Sequence, residues 1–218
     1  MSGRDLYRYR VLWRGKYVEW ALAPEMYGPR SPWFFDNPKL MIRDITGSHR
    51  IEAALDRSGR YCDHTILCAH RLCDQPASLQ KADRGGARRT SSAYSLELLQ
   101  AVVASRLVSA YYYWCLTGEG VRTGGGFHTY PTTVRALPIP NLDVLRDPSN
   151  QKTVSEMECL SKRLATTAAS MDGEPSPSKR ERLQRRFESD DARLDALLYS
   201  LYELDESEIV RIEEASAG

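Results

Sequence analysis

The sequence predicts an α+β protein: a mostly antiparallel sheet domain with one buried helix, followed by a C-terminal helical hairpin. Three observations carry this expectation. Up to residue 69 the chain alternates short period-two runs with turn signals, the grammar of an antiparallel meander. Residues 94–116, YSLELLQAVVASRLVSAYYYWCL, are apolar at helical spacing. After Pro140 the apolar residues recur at three- and four-residue steps in a charge-rich background, which suits two helices packed on each other. The expected division is therefore a body at 1–141 and a helical spacer or packing hairpin at 142–218.

In chain order, the opening LYRYRVLWRGKYVEWAL places Leu6, Arg8, Arg10, Leu12 and Arg14 on one parity and Tyr7, Tyr9, Val11 and Trp13 on the other. That predicts a strand with an aromatic inner face and a basic outer one, turning at Arg14-Gly15-Lys16 into a hairpin from Tyr7 to Ala23. Its arginines fit either an ordinary solvated sheet face or a surface that meets phosphates. Pro24, Gly28, Pro29, Pro32 and Pro38 make the next stretch a surface loop, pinned by Trp33, Phe34 and Phe35. Strands are expected at Leu40–Ile45, Ile51–Leu55 and Tyr61–Ala69, separated by turns at Gly47 and at Asp56-Arg57-Ser58-Gly59. Residues 74–93 are polar, without period, and fit a mobile surface loop and a recognition loop equally well.

Within the apolar stretch, Leu96, Leu99, Val103, Leu107, Ala110, Tyr111 and Trp114 share one broad face, and Ser95 is placed as its N-cap. One helix is expected. Gly118, Gly120 and the run Gly124 to Gly126 then form a flexible connection, and Val134, Leu137 and Ile139 predict a closing strand ended by Pro138 and Pro140. Leu142 to Asn150 is a linker. Val154, Met157, Leu160, Leu164, Ala168 and Met171 mark a helix from Thr153 to Met171. DGEPSPS breaks the chain, and a second helix from Ser178 carries Leu183, Phe187, Leu194, Leu197 and Leu201, with Asp190 on the seam where an apolar residue belongs. Asp205 with Glu208 caps a short last helix, Glu206 to Glu214.

The formal net charge of +1 conceals an asymmetry. Residues 1–150 hold 20 Lys and Arg against 14 Asp and Glu, a balance of +6; residues 151–218 hold 10 against 15, a balance of −5. A basic body suits a polyanion such as nucleic acid, and an acidic tail suits solvent or another protein surface. The most apolar stretch is interrupted by Ser95, Glu97, Gln100, Ser105 and Arg106, so no membrane span is expected. Five cysteines, an odd number without framework spacing, fit a reducing compartment, and with no apolar leader at the start the expectation is the cytoplasm.

Nothing in the chain composes a complete active site, and no catalytic residue is assigned. Cys62, His64, Cys68, His70 and Cys73 are zinc-competent side chains, but their spacing matches no closed finger, and small buried cysteines account for them better. The run TGGGF at 123–127 lacks the Lys-Ser/Thr of a phosphate-binding loop. Hydrolase, metalloprotease, deaminase and amino-methyltransferase signatures are absent as well.

Four segments, in order, resemble the TaqI-like C-terminal specificity domain, the target-recognition region of type IIG restriction-modification enzymes and adenine-specific DNA methyltransferases. They are PKLMIRDITGS with IEAALDRSGRYCDHT, YSLELLQAVVASRLVSAYYY, YPTTVRALPIPN and the terminal LDALLYSLYELDESEIVRIE. Ala104-Ser105 stands where the family often has Asn-Ser, and 118–126 is unusually rich in glycine.

The resemblance implies a module that reads double-stranded DNA for a methyltransferase domain, in cis or in trans. S-adenosylmethionine would belong to that parent domain, with no cofactor and no metal in this chain, which would be an excised domain or a free-standing specificity protein. Phosphate contacts are expected from Arg8, Arg10, Lys39 and Arg43. Arg84, Arg88, Arg89, Arg122 and His128 are expected at base edges, because the guanidinium fork pairs bidentately with guanine. The alternative is a protein-interaction module that docks through the acidic helices.

Overall fold

The computed structural model describes residues 1–15, 31–79, 86–117 and 126–216. A short antiparallel ribbon opens the chain, β1 (Leu6–Tyr7) against β2 (Arg10–Val11). After the helical turn α1 (Trp33–Asp36) comes a three-stranded antiparallel sheet of β3 (Lys39–Arg43), β4 (Ala53–Asp56) and β5 (Ile66–Ala69), with β3 in the middle. Register pairs Met41 with Ala54 on one side and Cys68 on the other. Then follow α2 (Ala87–Ser91), α3 (Leu96–Val103), and α4 (Arg106–Tyr111) running into a π-helical turn at Tyr112–Leu116. Two short turns, α5 (Pro131–Val134) and α6 (Leu142–Arg146), lead to the long pair α7 (Gln151–Asp172) and α8 (Pro177–Leu201) and to α9 (Glu206–Ser216).

α3 is buried because it lies between two layers. Leu98, Ala101 and Val102 share one apolar cluster with Leu40, Ile42, Ile51 and Ala53 of the sheet region and with Met157, Leu160, Leu164, Leu194 and Leu198 of the hairpin. The change of composition at 141/142 is therefore not a break in the core, which runs from the expected body into the expected spacer. Ser95 caps α3 as its sequence position implies, its Oγ accepting from the Leu98 N–H at 3.0 Å.

The single helix expected over 94–116 is interrupted. Ser105 is extended (φ −71°, ψ 160°), and its Oγ accepts from Val108 N–H at 3.1 Å, so it starts α4 as a second N-cap. Serine competes with the helical ladder through its own hydroxyl, and apolar periodicity carries no trace of that competition.

Two other expectations change for local reasons. Val134 to Ile139 is not a strand: Pro131 starts the turn α5, and Pro138 and Pro140 lack the N–H that a ladder needs. Their carbonyls instead accept from Tyr202 and Tyr94 hydroxyls respectively. The third strand is also shorter than Tyr61–Ala69, because Asp63 Oδ1 accepts the Thr65 N–H at 2.9 Å and turns the chain before Ile66.

At the start, Tyr9 adopts φ 63° in the turn between β1 and β2, which resets the expected parity. Leu6 and Tyr9 both enter the core, and Arg8 folds inward. The second half of the predicted hairpin, to Ala23, lies outside the described residues.

Candidate nucleic-acid interface

The four residues expected at phosphates are engaged inside the molecule. Lys39 is fully enclosed; its Nζ donates to Phe35 O at 2.6 Å and to the Asp56 carboxylate. Asp56 also accepts from the Arg60 and Ser58 N–H groups. Burial pushes its carboxyl up, but the Lys39, Ser58 and Arg60 hydrogen bonds outweigh that and bring it down to about 2. Lys39 thus holds α1 to the sheet and cannot reach a phosphate. Arg8 pairs with Asp191 of α8, Arg10 with Asp172 at the end of α7, and Arg43 with Glu52 across the β3–β4 turn. Arg10 and Arg43 stay at the surface with their charges already matched.

Arg8 belongs to a buried network that sequence inspection missed. The break between α3 and α4 frees the Ala104 carbonyl, which accepts from Arg8 Nε at 3.3 Å and Arg50 Nη2 at 2.9 Å. Asp191 takes both arginines, and Asp195 sits at the N-terminus of α4, accepting the Arg106 N–H at 2.9 Å. Asp195 also lies 3.7 Å from Arg50 and 3.6 Å from Arg106 Nε, and Arg106 pairs with Glu213 of α9. Burial pushes the Asp195 carboxyl up to about 6, whereas Arg8 and Arg50 overcome burial at Asp191 and hold it below the ordinary carboxylate range. The opposite balances of the two chain halves are partly neutralised here, within one molecule. The sequence did hold a signal: Asp190, Asp191 and Asp195 sit among Leu194, Leu197 and Leu198, and carboxylates in so apolar a stretch demand basic partners. Asp190, the acid on the seam, pairs with Arg163 and ties α8 to α7.

A separate surface forms where the β3–β4 turn meets residues 126–130. Ile45 bridges His128, Thr46 N–H donates to Phe127 O at 3.0 Å, and Thr129 N–H donates to Asp44 O at 2.6 Å. Gly126 is needed there: a Cβ would lie 2.5 Å from the Thr46 carbonyl oxygen. The predicted site residue His128 is thereby set beside Asp44, at 3.6 Å, with its ring stacked on Tyr130 at 5.3 Å. Tyr112, stacked on Phe127, locks the arrangement: its hydroxyl lies 2.6 Å from His128 O, and the Tyr130 N–H donates back to it at 3.2 Å. Tyr130 is half exposed, an aromatic face that the sequence argument passed over.

The other base-edge candidates divide. Arg88 donates to Cys73 O and Gln75 O, so it fastens α2 to the 72–75 turn, while Arg89 on the same short helix is exposed. Arg84 and Arg122 lie outside the described residues. The structure leaves Arg88 and His128 on different segments, Arg88 on α2 and His128 beside the β3–β4 turn.

The cysteine and histidine cluster is dispersed. Cys62 Sγ lies 3.4 Å from Cys68 Sγ, His70 Nε2 meets Phe34 O at 3.0 Å with its ring against Trp33, and His64 is exposed. No three potential metal ligands converge among the described residues. No helix among them is long and apolar enough to cross a membrane.

The fold class is α+β, a small antiparallel sheet packed with helices, with exposed Arg89 and the stacked His128–Tyr130 pair on its connecting segments. The chain belongs to the TaqI-like C-terminal specificity domain family, whose family model matches residues 1–139. This family underlies DNA sequence specificity in restriction-modification systems. The match ends before α6, so α7, α8 and α9, including the terminal segment resembling the family, lie beyond it. No curated protein matches the chain.

Proposed function

We propose that this chain recognises a specific double-stranded DNA sequence on behalf of an adenine-specific methyltransferase domain of the type IIG kind, joined to it or acting in trans. The single observation that carries this reading is the family match over 1–139. In it, the methyltransferase domain holds S-adenosylmethionine and performs the chemistry in the cytoplasm, and this chain supplies register and sequence choice. Among the described residues Arg89 and His128 are the base-edge candidates, with Arg84 and Arg122 as further candidates from the sequence. Arg88 takes a positioning role through its two carbonyl partners.

The physical support is a separation of duties. Arg8 and Arg50, which hold the molecule together, are drawn inward and paired, whereas Arg89 is exposed on a helix that Arg88 fastens down. An extended guanidinium on a fixed base loses little freedom on meeting a guanine edge, which favours bidentate pairing. The interaction-module alternative is weakened because four of the tail's 15 acids, Asp172, Asp191, Asp195 and Glu213, pair with arginines of the chain.

Selection of duplexes from a randomised pool by the full chain, at two salt concentrations, tests the proposal. Enrichment of one sequence, with affinity that falls as salt rises, is the expected result. Equal retention of all duplexes, or no retention at low salt, would reject it.

A further inference from the structure

The two halves of α8 have opposite characters. From 189 onward its acids Asp190, Asp191 and Asp195 are buried and paired. From 177 to 188, PSKRERLQRRFE carries Lys179, Arg180, Arg182, Arg185 and Arg186 against Glu181 and Glu188, and every one of these charges is exposed. Arg180 donates to Glu174 O, and Arg185 pairs with Glu181. Lys179, Arg182 and Arg186 have no hydrogen-bond or ion-pair partner among the described residues. At i, i+3 and i+7 they form one stripe along the helix. It runs along the flank of the packed face, one turn from half-buried Leu183 and buried Asp190, and outside the groove that Gln184 and Phe187 line with Tyr7, Arg8 and Arg10.

This pattern runs against what a merely solvated helix needs. Lys179, in the first turn, opposes the helix macrodipole, and Lys179 with Arg182 and Arg182 with Arg186, three and four residues apart, repel. A local rule broken on an otherwise well-packed helix marks a function. Lys179 to Arg186 spans about 10 Å along the helix axis, a reach that lets the stripe meet successive phosphates of one DNA strand. Guanidinium groups bind phosphate oxygens in bidentate fashion.

We infer that the Lys179–Arg182–Arg186 stripe is a sequence-independent contact for the DNA phosphate backbone, outside the stretch that the family model matches. It rests on the proposed DNA reading and extends the footprint onto DNA flanking the recognised sequence. Because the stripe lies on α8, beyond the stretch matched by the family model, its contribution is expected to need a duplex longer than the recognised site.

The test is the triple variant K179Q/R182Q/R186Q of the full chain, titrated with a long duplex across a range of salt, beside R211Q as a control that removes an exposed charge on α9. The triple variant should make the slope of log affinity against log salt shallower by about 2.7, at roughly 0.9 per lost phosphate contact, with sequence preference retained. R211Q should change it by less than the average stripe residue. The thermal midpoint of the triple variant should hold or rise, because repulsion within the stripe is relieved. Sequence-preferring binding with an unchanged slope overturns this inference and leaves the proposed function standing; failure of the unaltered chain to bind DNA overturns both. Loss of retention on immobilised polyglutamate, with DNA binding unaltered, would assign the stripe to an acidic protein and also overturn it.

Discussion

The arginines of this chain work in two surroundings that composition treats alike. Arg8 and Arg50, on and beside the small strands, are drawn under α8 and matched by Asp191 and Asp195, with the Ala104 carbonyl at the centre. Arg89 on α2, and Lys179, Arg182 and Arg186 on α8, stay in water with charge to spare. The difference teaches that an excess of basic residues in one region indicates a polyanion only after the intramolecular acids have been paired off. Here the acidic tail takes up part of the basic body, and the uncommitted cations lie elsewhere.

The comparison breaks most sharply at Asp191. Asp191→Ala strands Arg8 and Arg50 without a full complement of partners in the core, and should cost about 3–5 kcal/mol of unfolding free energy in a denaturant titration. A loss below 1 kcal/mol would show that water reaches the network.

Asp195 sharpens the same region through pH. Its folded pKa of about 6 lies above the ordinary 3.8, so the folded chain holds this proton more tightly than the unfolded one. Its contribution to stability is complete below about pH 3.8 and is lost as pH rises through 6. Asp195→Asn has no such loss, so its stability relative to the unaltered chain should improve by on the order of 2–3 kcal/mol between pH 4 and pH 7.5. Asp191, held low, acts with the opposite sign: its contribution is present above the ordinary carboxylate range and fades as pH falls below it. Denaturant curves of D195N and D191N at the two pH values separate these effects, and parallel pH profiles for both variants would contradict the assigned environments.

On the exposed side, Arg89→Ala should leave the melting temperature unaltered and weaken binding to the selected duplex by about 1–3 kcal/mol, with preference relaxed at one base pair. Uniform weakening over all sequences would make Arg89 a phosphate contact instead. Smallest per residue is the α8 stripe, whose changes in salt slope should add across its members.

Much of the frame was legible in the sequence. Alternation located β3 and β4 to within two residues, three- and four-residue steps located α7 and α8, and Ser95 and Asp205 announced the starts of α3 and α9. These signals are local: a period and a cap are written in neighbouring residues, and backbone hydrogen bonding does the rest. The closing strand failed because apolar spacing at 134–139 outweighed the missing N–H groups of Pro138 and Pro140. The candidate site was less legible still. His128 was named from its place after the glycine run, but what orients it is Tyr112, sixteen positions earlier, and the Asp44–Thr46 turn, more than eighty positions away.

The sequence by itself determined the α+β class, the helical hairpin and the family resemblance, because each rests on short-range patterns or on segment order. Which charges are spent was decided only by tertiary structure. Arg8 and Asp191 are 183 positions apart, and Lys39 and Asp56 meet only because β3 and β4 pair in one register. A charge is committed by the partner that folding brings within a few ångströms under low dielectric, and that proximity is a property of the packed chain rather than of any stretch of it.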